Sequence, residues 1–323
     1  MNTKLVTAYY PLNEGAPFWG KQNRHRWYKN SIASICNVGV PVICYTDDKG
    51  YDEILETKIS RNLDNLIIKK YEMTSSPFFE RMLKIRMEGN PEIYNNEFHP
   101  FYKMPFVIYW NKWVFLEMEY EPDTYIYWID GGLSTDGVLP HRVNDYVHEP
   151  GFENRYAGVG DYINEHEFKF HSYNKVFNPE FINKINQFSE DKILNLCRRD
   201  TTDNDFYLLE EKLNLTKGKI MRDNLYPVGA LFGGNTPYLT EYITEFYNVA
   251  NKILAIGDYA CTEQEIMGHI HAEHREWFKD WIFHDFYHDD WKINNEGSLW
   301  AYRDLYPNNI SFSDFFINPL DTL

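Results

Sequence analysis

The sequence lacks several features that would make a function class easy to recognise. It has no excess of positive charge: 32 Lys and Arg stand against 48 Asp and Glu, a formal net charge of −16. General binding to DNA or RNA rests on neutralised phosphates, so this balance argues against it and leaves room only for a local basic pocket around one nucleotide. There are four cysteines, Cys36, Cys44, Cys197 and Cys261, with no Cys-x-x-Cys pair among them. That scatter predicts reduced thiols in a cytoplasmic protein. No apolar run approaches the roughly 20 residues that span a bilayer, so no transmembrane segment is expected. Peripheral association with a membrane stays open. "MNTKLVTAYYPLNE" has no charged region leading into an apolar one and does not read as a signal peptide. Low-complexity stretches, clear repeats and Gly/Ser linkers are also missing, which points to a single domain over 1–323.

Aromatic residues, in contrast, are abundant: 25 Tyr, 22 Phe and 9 Trp make up 17% of the chain. They suit stacking surfaces for bases or sugar rings, and they equally suit a large core with few aliphatic side chains.

The order of segments predicts an α/β fold. "KLVTAYY" (4–10), "VPVICYTDD" (40–48), "NLIIKKYEM" (65–73) and "TYIYWID" (124–130) read as strands. Between them, 18–39, 77–90 and 102–120 read as helices, the first stopped by Gly39 and the last entered through Pro105 as a first-turn residue. This alternation implies a mostly parallel sheet with helices on both faces. Further on, 178–199 reads as an amphipathic helix with a break near Ser189, and 226–235 as an apolar strand. A helix over 236–257 has Thr236 as N-cap, Pro237 at its first position, Leu239, Ile243, Phe246, Ala250 and Ile253 on one face, and Gly257 as its stop. The helix signal of 262–278 starts with Thr262 and Glu265 at capping-box spacing. The rest of the C-terminal half reads as a helical and irregular elaboration.

Ligands of such sheets sit beyond the carboxyl ends of the strands. Three strand ends, at Tyr9, at Asp47 and at Asp130, are therefore expected to converge. "YIYWIDGGL" places Asp130 at a strand tip, followed by Gly131 and Gly132. A carboxylate there can hold a divalent cation, and the missing side chains let a phosphate come close. A turn aspartate followed by glycines for positive φ is the structural alternative.

"YKMPFVIYWNKWVFLEMEYEPDTYIYWIDGG" resembles the segment before the metal-binding aspartate of GT-A glycosyltransferases, and more closely that of the bacterial HtrL/YibB-like family associated with lipopolysaccharide loci. The similarity extends to the "LVTAYY" start and the Lys-bearing helix. The resemblance implies a GT-A-like sheet, with a nucleotide-binding half over 1–135 and a donor-sugar and acceptor half over 136–323. It implies transfer of a sugar from a nucleoside diphosphate sugar to a glycan or lipid-linked acceptor. GT-A enzymes usually carry Asp-x-Asp; here Gly132 takes the third position and Asp130 stands alone. It is the implied ligand of Mn2+ or Mg2+, joined by His284 or His288 from "WIFHDFYHDDW".

The resemblance also assigns other residues. Lys112, with Lys103 as the second choice, would balance charge on the leaving diphosphate. Thr7, Ala8, Tyr9 and Asp47 would meet the nucleotide, and Gly131 and Gly132 the phosphates. "VGALFGGN" is similar to the strand along the donor sugar, which assigns Gly233, Gly234 and Asn235. "EQEIM" is similar to a helix start that reaches the sugar, with Glu263 as the catalytic acid and Gln264 beside it.

Two other readings stand beside this one. "HIHAEH" spaces His269, His271 and His274 as in some metal-dependent hydrolases, although on a helix only 271 and 274 share a face. The single Asp130 also fits a catalytically silent nucleotide-sugar-binding protein.

Overall fold

The computed structural model describes residues 2–11, 23–89, 105–131, 177–199, 205–215, 225–235, 237–257 and 261–283. Lys103, Gly132, Thr236, His284 and His288 lie outside the described residues, as does most of the expected C-terminal elaboration.

The described strands are β1 (Asn2–Ala8), β2 (Val42–Thr46), β3 (Leu66–Lys70), β4 (Thr124–Ile129), β5 (Ile193–Arg199), β6 (Leu225–Gly234) and β7 (Phe278–Phe283). They form a single sheet in the order β3-β2-β1-β4-β6-β5-β7. β1 pairs in parallel with β2 and β4, β2 with β3, and β5 with β7, whereas β6 is antiparallel to both of its neighbours. The mostly parallel sheet expected from the sequence is therefore present.

Helices cover both faces. α1 (Asn23–Ile35), α2 (Asp48–Arg61) and α5 (Pro179–Ser189) lie on one face, where Ile32, Ile54, Ile182 and Ile185 pack with Leu5, Cys44 and Ile129. α3 (Phe79–Gly89), α4 (Pro105–Glu119), α6 (Asp205–Lys212), α7 (Pro237–Ile256) and α8 (Glu263–Glu273) lie on the other. That second core holds much of the aromatic excess. Trp113 stacks on Phe246 at 3.7 Å and on Phe232 at 4.8 Å, and Phe78 meets Trp110 edge-on. The aromatic residues named here are core residues, which bury large areas and hold fixed ring geometries.

The connections place the opening of the fold. β1 reaches β2, and β2 reaches β3, through α1 and α2 on one face; β3 returns to β4 through α3 and α4 on the other. The strand order therefore reverses between β1 and β4. Such a reversal is where open α/β sheets receive ligands, beyond the carboxyl ends of the strands.

Two segments differ from the sequence expectation. The helix expected over 178–199 ends at Ser189; Glu190 follows with φ +51, and 193–199 continue as β5. The helix of 262–278 ends at Glu273, and β7 begins at Phe278. No helix among the described residues is long and apolar enough to cross a membrane.

Candidate active site

Asp130 follows the last residue of β4, and its backbone N–H donates to the Ala230 carbonyl of β6 at 2.8 Å. Strand periodicity puts Trp128 and Asp130 on one face. The Trp128 indole N–H donates to Asp130 Oδ1 at 2.7 Å. Lys112 of α4 places its Nζ 3.1 Å from the same oxygen, 2.8 Å from Glu263 Oε1 and 2.8 Å from the Gly229 carbonyl. Three acceptors use the three N–H bonds of the ammonium. Lys112 and Glu263 are buried, at 2% and 3% exposure, while the Asp130 side chain is 40% exposed. The cluster thus presents one carboxylate to solvent and keeps its cation and second carboxylate behind it.

Burial alone would push the Lys112 ammonium down, but Asp130 and Glu263 reverse this and hold its pKa above the ordinary lysine value. Burial raises the Glu263 pKa, and Lys112 offsets only part of that rise. The asymmetry has a simple cause: the lysine gains two anions, whereas the two anions share one lysine.

Gly229 makes this packing possible. It has φ +64, and a Cβ there would stand 2.9 Å from Glu263 Oε1. Gly131 does similar work at the strand tip, where a Cβ would meet the Ala8 carbonyl at 3.1 Å and Thr7 Oγ1 at 3.3 Å. The ends of β1 and β4 therefore close on each other, and the buried Thr7 hydroxyl beside Gly131 has no hydrogen-bond partner among the described residues.

The remaining expected residues divide clearly. Gln264 lies next to Gly229, with its Cγ 3.5 Å from where a Cβ on that glycine would be. Tyr9 is buried and donates its hydroxyl to Glu53 of α2. Asp47 caps α2, accepting from the Gly50 N–H at 2.7 Å. Glu265 accepts from the Thr262 N–H at 2.6 Å, the carboxylate half of the anticipated capping box. Gly233 and Gly234 pair with Tyr127 and Ile126, toward the opposite end of β4 from Asp130, with Asn235 just beyond them. A Cβ on Gly233 would lie 2.1 Å from the Ile126 carbonyl, so this glycine serves close strand packing. The glycine of "VGALFGG" that reaches the cluster is Gly229. Sequence reasoning passed over it, although a lone glycine inside a strand often marks a close backbone approach. Trp128 was also missed; its i, i+2 relation to Asp130 was the available signal.

The three helix histidines do not form one ligand set among the described residues. His271 faces Asp280 at 2.9 Å, His274 stacks on Trp277 at 3.8 Å, and His269 is buried in α8.

No family model matches the sequence, and neither does any curated protein. Among solved structures, the crystal structure of mouse xyloside xylosyltransferase 1 in its apo form is similar over 92% of each chain, with a TM-score of 0.45 and 9% identity. No residue role passes from it to this chain.

Proposed function

We propose that the chain is a glycosyltransferase that uses a nucleoside diphosphate sugar and passes the sugar to a glycan or lipid-linked acceptor. One observation carries the reading: a fixed, half-exposed carboxylate stands where the strand order reverses, next to a glycine. The resemblance of 102–133 to GT-A enzymes supplies the chemistry.

A divalent cation fits this carboxylate. Lys112 and Trp128 both bind Oδ1, and Oδ2 has no partner among the described residues. One carboxylate oxygen, waters and substrate phosphates make up a typical magnesium or manganese site. When bound, the cation would neutralise the charge that develops on the departing diphosphate. Asp130 holds it and sets its place. Trp128 and Lys112 fix the Asp130 rotamer. Glu263 fixes Lys112 and, being buried, acts behind Asp130 as a positioning residue. Gly131 lets the tip of β1 close against β4 behind Asp130.

The test is a thermal-shift series of nucleoside diphosphates and their sugars, in manganese and in chelator. At 100 times Kd a ligand of the native state adds about 2.7 kcal/mol of stability. Stabilisation is expected in manganese and is expected to fall in chelator. Equal stabilisation in both would remove the cation from the reading. Binding without sugar transfer or donor hydrolysis would make the chain a nucleotide-sugar-binding protein.

A further inference from the structure

The farther turns of α8 carry a second polar cluster that sugar transfer does not use. His271 Nε2 lies 3.0 Å and 2.9 Å from the two Asp280 oxygens, and Cys197 Sγ lies 3.5 Å from Asp280 Oδ1. The three ligand atoms fall within 4.8 Å of one another. They come from three elements: Cys197 from β5, Asp280 from β7 and His271 from α8. Asn195 stands beside them, with its Nδ2 3.3 Å from Cys197 Sγ and 3.5 Å from Asp280 Oδ1.

We propose that Cys197, His271 and Asp280 bind a thiophilic divalent cation, zinc in the first instance, which clamps β5 and β7 to α8. The donor set is one sulfur, one imidazole nitrogen and one carboxylate oxygen. Zinc takes this mixture, whereas magnesium and manganese prefer oxygen alone. Ligand distances of roughly 2.0–2.3 Å around a tetrahedral zinc put neighbouring ligand atoms about 3.3–3.8 Å apart. The observed separations need only small side-chain adjustments to reach that spacing.

Three further observations support the site. Cys197 and His271 are buried at 0% and 2% exposure, while Asp280 keeps 22% of its side chain exposed, which gives the cation a way in. The pairing of β5 with β6 shifts register between Asn195 and Cys197. Such irregularities re-aim side chains and recur at sites. The Asn195 Oδ1 is buried without a hydrogen-bond partner among the described residues, while its amino end faces the sulfur and the carboxylate. Amide ends are assigned from hydrogen bonding. Turned round, this amide supplies the cation with a fourth ligand. On binding, the thiol releases its proton to solvent and the thiolate sulfur bonds the cation.

The site is separate from Asp130. His271 follows Glu263 by eight residues on the same helix, about 12 Å along its axis. The clamp would hold the helix that presents Glu263 to Lys112.

The full-length chain, stripped with chelator and then titrated with zinc alone, is expected to retain about one equivalent after gel filtration. Loss of an outer-shell partner already weakens metal affinity by roughly 10–100-fold. Asp280→Asn and Cys197→Ser should therefore weaken zinc binding at least ~100-fold, while His274→Ala leaves it unchanged. Cobalt in place of zinc should give a thiolate-to-metal charge-transfer band in the wild type. If Cys197→Ser does not fold, Asp280→Asn and the cobalt spectrum decide the matter. No retained zinc, equal affinity in Asp280→Asn, a loss on replacing His274, or a cobalt complex without the thiolate band would overturn the proposal.

Discussion

Helix α8 begins at a buried lysine and ends near a buried thiol. At its start, Glu263 and Asp130 share Lys112, so the cluster contains its own cation and is held together before any ligand arrives. Near its end, Asp280 faces an imidazole and a thiol. The first cluster is arranged to fix one carboxylate and offer its outer oxygen. The second offers three different ligand atoms to one point. The two proposed sites therefore differ in chemistry: the first suits a cation with oxygen ligands, the second one with sulfur and nitrogen.

The largest effect should follow removal of the internal cation. Lys112→Met leaves two carboxylates and a carbonyl without their donor, and breaking a buried pair in this way costs about 3–5 kcal/mol. A denaturant midpoint that barely moves would show that solvent reaches the cluster and stands in for the ammonium. Asp280→Asn, without added metal, should cost far less, because the amide still accepts from His271.

Gly229→Ala comes next. Positive φ in a residue with a Cβ costs about 1–3 kcal/mol, and that Cβ would also push Glu263 from Lys112. Unchanged stability would mean that β6 relaxes here and that the glycine does not set the approach.

Glu263→Gln sharpens the comparison through pH. Burial raises the Glu263 pKa, so the folded chain holds that proton more tightly than the unfolded one. The contribution of its ionisation to stability therefore falls as pH rises from the ordinary glutamate value of 4.5 through the folded value. Lys112 acts at the alkaline end: its raised pKa gives stability that is complete below the unfolded lysine value and lost as pH climbs through the folded one. The melting temperature of the wild type minus that of Glu263→Gln should therefore decline across the acid window. Glutamine resembles the protonated side chain, so at neutral pH the variant should be at least as stable as the wild type. A difference independent of pH would contradict the burial of Glu263.

The smallest effect lies between the clusters. The Tyr242 hydroxyl is buried without a hydrogen-bond partner among the described residues, and both Cys197 and Glu263 add to the rise that burial imposes on its pKa. Tyr242→Phe removes an unsatisfied group and should be neutral or stabilising by about 1 kcal/mol. A loss of stability would show that the hydroxyl has a partner and links the clusters.

Much of the sheet was legible because its first four strands carry dense β-branched and aromatic runs, separated, except between β2 and β3, by clear helices. Pro105 opens α4 where expected, and Gly39 stops the first helical segment with φ +76. α2 escaped notice: Gly50 sits in its first turn, and its only buried residues are Gly50, Ile54 and Thr57, too few for a helical stripe. β5 was hidden because "ILNLC" continues the apolar spacing of α5, and only the Ser189–Glu190 turn separates them. Asp130, Lys112 and Glu263 could be named from the sequence. Their sharing of one ammonium could not, since the contact joins positions up to 151 residues apart. The Cys197–His271–Asp280 cluster was out of reach for the same reason. The motif around His271 pointed to neighbouring histidines, whereas its partners stand on two strands that had not been recognised.

The most direct measurement is calorimetric titration of UDP and other nucleoside diphosphates into wild type and Asp130→Asn, each with manganese and with chelator. The account predicts manganese-dependent binding to the wild type, weakened at least ~10-fold in Asp130→Asn, which loses the charge but keeps the shape of the cation ligand. Binding indifferent to both manganese and Asp130, or no binding of any nucleoside diphosphate to the folded wild type, would contradict it.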